Sequence, residues 1–190
     1  MSALRCALAA LLTVGGVLPV RAEPVSYSID PNHTHVIFET DHLGLSTQRG
    51  RFSHSSGKIV LDRAARSGTV DVSLDAAALD MGFAKWNENM RGENFFNVAE
   101  FPDMVYKSTK LVFAGDKLDS VEGTLTLLGV TKPVTLKVDS FNCGANPFTK
   151  KDMCGADLSG SIKRSDFGMK FGIPAIADEI KLAIAVEGYK

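Results

Sequence analysis

Residues 179–189, EIKLAIAVEGY, alternate apolar and polar or small side chains along almost their whole length. Ile180, Leu182, Ile184 and Val186 occupy every second position, and a lysine, two alanines and a glutamate stand among the intervening residues. Successive side chains of a β-strand point to opposite faces of the sheet, so this pattern predicts a strand with one buried and one solvated face.

The same period of two recurs through the chain. The segments GTVDVSLD (68–75) and KPVTLKVDSF (132–141) repeat it clearly. Weaker alternation covers residues 25–29, 34–41, 57–62, 103–113, 118–128 and 156–163. Eight or nine strands without a βαβ pattern predict an antiparallel sheet that closes or folds on itself, and a barrel and a sandwich both fit.

One stretch breaks the alternation. Residues 81–97, MGFAKWNENMRGENFFN, show no period of two and predict a short helix, or two helices joined by a loop. We therefore expect an all-β domain that carries one helical insert.

The first 22 residues, MSALRCALAALLTVGGVLPVRA, have the features of a secretory signal. Arg5 precedes a short apolar run, and Val20 and Ala22 place small residues where a signal peptidase cleaves. The alternative is an amphipathic or anchoring N-terminal helix. We predict cleavage after Ala22, which leaves residues 23–190 as one domain in the periplasm, with no transmembrane segment in the mature chain.

The net charge narrows the possible partners of the mature chain. Without Arg5 and Arg21, the 21 basic residues fall to 19 against 22 acidic ones. The resulting net charge of −3 gives no reason to expect nucleic acid as a partner.

The mature chain would keep two cysteines, Cys143 and Cys154. In an exported protein such a pair predicts a disulfide, here at the base of a hairpin.

Three of the four histidines, His33, His35 and His42, are concentrated in PNHTHVIFETDH, residues 31–42. Positions 33 and 35 share one face of an extended strand, whereas residues 35 and 42 are separated by about 23 Å of extended chain. No H-E-x-x-H motif or cysteine cluster supplies further ligands, so no metal site is predicted. A periplasmic metalloprotein or enzyme that uses these histidines is the alternative function.

The sequence lacks three common motifs of enzymes and nucleotide-binding proteins: the nucleophile elbow, the phosphate-binding loop and the dinucleotide fingerprint.

Four segments together resemble the YceI family: DPNHTHVIFETDHLGLSTQRGRF (30–52), ENFFNVAEFPDMVYKS (93–108), GTLTLLGVTKPVTL (123–136) and GSIKRSDFGM (160–169). His33, His42, Gly50 and Phe52 match the family pattern, whereas WNENM (86–90) replaces an Arg-Asp-x-His-Leu run found in many members. The resemblance implies a lipocalin-like, eight-stranded antiparallel β-barrel that binds a polyisoprenoid or another long-chain lipid without catalysis.

The resemblance and the alternation together predict which residues would contact such a lipid. We expect no catalytic residue and no cofactor, other than a bound polyisoprenoid or isoprenoid-quinone-like lipid. The candidate lipid-contacting residues are apolar and face the predicted interior: Val36, Phe38, Val72, Leu74, Phe95, Phe96, Leu125, Leu127, Leu136, Leu182 and Ile184.

Overall fold

The computed structural model describes residues 23–190, so the predicted signal segment lies outside the described residues. Its strands are β1 (Val25–Ile29), β2 (His35–His42), β3 (Ser46–Phe52), β4 (Ser55–Asp62), β5 (Ser67–Asp75), β6 (Leu79–Asp80), β7 (Asp103–Ala114), β8 (Lys117–Leu127), β9 (Val130–Ala145), β10 (Asp152–Lys163) and β11 (Glu179–Tyr189). One α-helix, α1 (Ala84–Arg91), and two 3₁₀ turns, Ala76–Ala78 and Arg164–Phe167, complete the described elements. Within residues 23–190, no helix combines the length and apolar character needed to cross a bilayer.

The strands form an antiparallel barrel rather than a sandwich. Eight strands follow one another around the ring in the order β1, β4, β5, β7, β8, β9, β10 and β11, and pairing of β11 with β1 closes it. Strand β2 continues along the same edge of β11 beyond β1, and β3 pairs with β2 as β4 pairs with β1. The predicted all-β, eight-stranded barrel with a short helical insert is confirmed.

The strand prediction was incomplete at β3. Its sequence, STQRGRF, lacks alternating apolar residues, and alternation therefore did not reveal it. The backbone of Gly50 lies beneath the ring of Phe38 on β2, where an added Cβ would come within 2.3 Å of the ring atom Cζ. Gly50 thus belongs to the buried face of β3 although it has no side chain, because the ring of Phe38 on the neighbouring strand covers it.

The two cysteines pair as predicted but at a different place in the hairpin. Cys143 on β9 lies directly opposite Cys154 on β10, and a disulfide joins them. The prediction placed this bridge at the base of the hairpin, whereas it lies beside the turn, because β9 and β10 extend far beyond it in the other direction. Closing this short loop stabilises the fold by about 2–3 kcal/mol in the chain-entropy description.

Closure of the barrel depends on a break between β1 and β2. Over residues 30–34 the chain leaves the edge of β11, so the backbone of Glu187 loses its regular partners there. The buried Thr34 hydroxyl replaces them: its Oγ1 accepts from the Glu187 N–H at 3.0 Å and donates to the Glu187 carbonyl at 3.2 Å. The Asp30 N–H donates to that same carbonyl at 2.9 Å. One side chain thus performs the pairing that a strand backbone would otherwise supply.

We predict that Thr34→Val destabilises the protein by about 1–3 kcal/mol, because it leaves the partly buried Glu187 N–H without its partner. Thr34→Ser keeps the hydroxyl and serves as the matched control. Chemical denaturation of the two variants measures the difference in the free energy of unfolding. Equal stability of the valine and serine variants would show that the hydroxyl does not close the barrel.

Candidate functional site

A cavity of about 380 Å³ occupies the interior of the barrel. Its wall is the inward face of nearly every strand in the ring, and most of the lining side chains are aliphatic or aromatic. A volume of this size falls in the range of pockets that hold small organic ligands. The barrel is therefore not filled completely by its own side chains.

The structure brings together all the residues that the sequence predicted to face the interior. Each of them lines the cavity: Val36, Phe38, Val72, Leu74, Phe95, Phe96, Leu125, Leu127, Leu136, Leu182 and Ile184. Alternation was sufficient for the strand residues because the barrel has one inside and one outside face. Phe95 and Phe96 come from the segment after α1, which no periodicity describes.

An aromatic cluster attaches that segment to the barrel. The ring of Phe96 lies 5.1 Å from that of Phe52 and 6.1 Å from that of Phe38. Both arrangements are edge-to-face, a geometry that aromatic pairs favour. Arg91 also donates to the Leu79 carbonyl on β6, so α1 and the chain after it are held over one end of the cavity.

Residues 164–178 lie at the same end of the cavity, across from α1, and the buried Arg164 holds them in place. Arg164 directly follows β10, and its position continues the inward phase of Leu158 and Ile162. The guanidinium donates hydrogen bonds of 2.9 to 3.3 Å to the carbonyls of Met169, Phe171, Ile176 and Ala177. Burial lowers the pKa of Arg164, and the nearby Asp178 partly offsets this effect. Arg164 thus gives residues 164–178, which contain no long helix or strand, a fixed shape. A charged residue in an inward phase was the sequence signal for this role.

Polar side chains mark the cavity wall at the same end of the barrel. His42 at the end of β2, Gln48 on β3 and Asn89 on α1 all line the cavity, among apolar neighbours that include Trp86 and Met90. Sequence reasoning gave His42 only as a match to the family pattern, and it missed Gln48 and Asn89, because only the tertiary structure shows that α1 lies near the β2–β3 hairpin. Together they offer hydrogen-bond donors and acceptors at the end where the lining residues Trp86 and Phe171 are also exposed, which we call the cavity entrance.

Tyr106 is a polar residue elsewhere on the cavity wall, and its hydroxyl is already hydrogen-bonded to the backbone. It lies 3.0 Å from the Val121 carbonyl and 3.1 Å from the Val134 carbonyl, and it can donate to either of them. Burial, followed by the charge of Glu122, raises the pKa of Tyr106 to about 12. The phenol therefore stays neutral and contributes an apolar ring to the cavity.

The three clustered histidines do not converge on one site. His33 lies in the turn before β2, where its Nδ1 is 2.7 Å from an Asp30 carboxylate oxygen and 4.0 Å from Glu187. The prediction that His33 shares a strand face with His35 was therefore wrong, since β2 begins only at His35. Burial, followed by the charge of Arg51, lowers the pKa of His35. His42 faces the cavity.

We predict that His33 contributes stability mainly at acidic to neutral pH. The hydrogen bond to Asp30, followed by the charges of Asp30 and Glu187, raises the pKa of His33 above its usual value. Partial burial alone would raise the pKa of Asp30, but hydrogen bonds from His33 and the Asn32 N–H outweigh it and lower that pKa. The pair therefore stabilises the fold above the usual Asp range and below the raised His33 pKa.

Thermal unfolding of His33→Asn and the unaltered protein at pH about 6 and about 9 tests this, because histidine is charged only at the lower value. The loss in melting temperature should be larger at the lower pH. In an Asp30→Asn background, the His33→Asn change should lose most of this pH dependence, because only the weaker effect of Glu187 on His33 remains. A loss that is greater at the higher pH would contradict the assignment.

Comparison with known proteins identifies relatives over nearly the whole chain. The YceI-like domain family model matches residues 27–188. Proteins named YceI from Salmonella arizonae and Salmonella enteritidis are each 35% identical over 184 residues, which cover 95% of this chain and 93% of each relative.

Solved structures share the fold. BcnA of Burkholderia cenocepacia matches with a TM-score of 0.69 and 24% identity, covering 84% of this chain and 98% of BcnA. A YceI protein of Campylobacter jejuni matches with a TM-score of 0.66 and 27% identity, covering 79% of this chain and 89% of its own. A polyisoprenoid binding domain from Saccharophagus degradans matches with a TM-score of 0.64 and 18% identity, over 86% of this chain and 97% of that domain.

Proposed function

This chain belongs to the family of YceI-like domains, and from that premise we propose that it is a non-catalytic protein that binds a polyisoprenoid or another long-chain lipid inside its barrel. The observation that carries the proposal is the apolar cavity of about 380 Å³, whose wall is formed by the inward face of the barrel. The Saccharophagus degradans domain, a polyisoprenoid binding domain, shares the fold at 18% identity, and the cavity of this chain itself supports the proposal.

The cavity chemistry suits an extended hydrocarbon with a small polar end. Each methylene transferred from water to an apolar wall contributes about 0.8 kcal/mol, so a long tail needs few polar contacts for tight binding. The polar end would lie near His42, Gln48 and Asn89, where hydrogen bonding is possible at the entrance. An isoprenoid quinone has this form, because it joins a long hydrocarbon tail to a ring whose carbonyl oxygens accept hydrogen bonds.

The polar groups of the site favour binding over catalysis. The Tyr106 hydroxyl is bound to backbone carbonyls and stays neutral, and the Arg164 guanidinium is bound to four backbone carbonyls. His33 and His35 lie outside the cavity wall, so they cannot act together with His42 on one substrate. A catalytic site needs a nucleophile or base held by a partner close to the reacting atom.

We propose in addition that the protein works in the bacterial periplasm. The signal-like residues 1–22 support export, and the Cys143–Cys154 disulfide is compatible with an oxidising compartment. Intact-mass measurement of protein from the native host should give a chain that begins at Glu23. An exported protein that retains Met1 to Ala22 would refute cleavage at this site.

The cavity itself is tested by Leu182→Trp. Leu182 lines the cavity and pairs with Phe38 on β2 and with Gly160 on β10. If a lipid tail occupies the space, the indole should displace it while the melting temperature stays near that of the unaltered protein. Mass spectrometry of an organic extract from natively purified protein measures the lipid content.

Lys181→Trp is the matched control, since Lys181 is the exposed neighbour on the outer face of β11. It should change neither lipid content nor stability. If the barrel were a filled core instead, Leu182→Trp would cost about 1–3 kcal/mol by overpacking and the unaltered protein would yield no lipid. That pair of results would overturn the proposed function.

A further inference from the structure

Large apolar side chains are exposed around the cavity entrance. We define the entrance rim as five such residues, whose exposed fractions are 53% for Leu43, 82% for Leu45, 63% for Phe83, 39% for Trp86 and 52% for Phe171. Burying a single side chain of this kind is worth about 1.5–3 kcal/mol, so leaving five together in water is unfavourable. Clusters of this type mark surfaces that contact another apolar phase.

Three separate segments bring the rim together. The β2–β3 turn carries Leu43 and Leu45, and its Leu43 N–H donates to the Ala175 carbonyl at 2.7 Å. The ring of Phe171, in the same 164–178 segment as Ala175, lies 5.5 Å from that of Phe95. That contact joins the segment to the chain that follows α1.

The rim and the cavity wall share two residues. Trp86 and Phe171 line the cavity and are also exposed. Phe83 lies between two cavity-lining residues, Met81 and Trp86. A lipid tail that enters or leaves the barrel at this end therefore passes directly over the rim.

The charges of these segments do not oppose contact with an apolar phase. Residues 41–49, 81–91 and 164–178 contain five basic and four acidic side chains, so their charges nearly balance. Several are already engaged: Lys85 donates to Glu88 at 2.8 Å, and Asp41 accepts from the Gly44 N–H at 2.7 Å. Attraction to a surface here would come from apolar burial rather than from long-range charge.

We propose that the entrance rim docks onto the surface of a lipid bilayer and inserts its side chains into the interfacial region. Tryptophan, phenylalanine and leucine are the residues that anchor peripheral proteins at this depth. The rim consists of side chains on three turns and a helix rather than a shaped groove, which suits a fluid surface better than a folded partner. Docking would let a lipid pass between bilayer and cavity without exposing its tail to water.

The inference rests on the proposed function only for the identity of the lipid that the barrel holds, and docking can be measured without knowing that lipid. The chain beginning at Glu23, which contains every described element, is sedimented with phosphatidylcholine vesicles. We expect vesicle binding that changes less than about twofold between low salt and 0.5 M salt, because apolar insertion is not screened. Brominated lipids should also quench Trp86, the one tryptophan of the chain.

Rim variants give the decisive comparison. Leu45→Ser and Phe171→Ser should each reduce the vesicle-bound fraction by about fivefold or more, since each removes a large apolar group from the inserted surface. Phe148→Ser is the matched control: Phe148 is 91% exposed, but it lies in the β9–β10 turn, at the end of β10 opposite to Arg164. It should bind vesicles like the unaltered protein. Circular dichroism checks that every variant is folded.

Leu182→Trp separates this inference from the proposed function, because it should lose bound lipid and still sediment with vesicles. Vesicle binding with no lipid ever found in the barrel would sink the proposed function and leave docking intact. Absence of vesicle binding, or an equal loss with Phe148→Ser, would overturn docking. A dimer in analytical ultracentrifugation that Leu45→Ser dissociates would also overturn docking if vesicle binding is absent. The rim would then join two copies of the chain.

Discussion

The fold depends on how the barrel closes where its first strand is interrupted. Between β1 and β2 the chain leaves the edge of β11, and the Thr34 hydroxyl pairs with the Glu187 backbone in place of a strand residue. The Thr34 carbonyl in turn accepts from the buried Ser55 hydroxyl at 3.2 Å. Because buried backbone groups must be paired, these bonds allow the interruption without opening the sheet.

Closure determines what the alternating strands can do. In a closed barrel every inward side chain faces the same space, so separate apolar strand faces become one continuous wall. Two positions on this wall are glycines, Gly155 and Gly188, and the ring of Phe38 packs against the backbone of Gly50, where no side chain competes for the space. The same closure leaves the outer face to polar and charged residues, which include the Asp30–His33 pair.

The two irregular parts of the chain shape one end of this cavity. The insert that contains α1 is held by the aromatic cluster of Phe38, Phe52 and Phe96, and residues 164–178 are held by Arg164. Both are held mainly by side-chain contacts, together with the backbone bond from Leu43 to Ala175 at the end of β2, and both present apolar side chains outward. The proposed lipid cavity and the proposed bilayer contact thus involve the same residues, with Trp86 and Phe171 belonging to both.

The sequence by itself determined the strands other than β3 and the short β6, the buried face of each of them and the pairing of Cys143 with Cys154, because period and cysteine count are properties of the chain alone. A barrel and a sandwich share that period, so only the resemblance to a family favoured the barrel, and only the β1–β11 pairing showed it closed. Strand β3 escaped prediction because its buried face depends on a ring from β2. The entrance was likewise decided by tertiary structure: the hairpin that holds His42 and Gln48 is distant in sequence from Trp86 and from Phe171, and no local pattern records which distant segments meet.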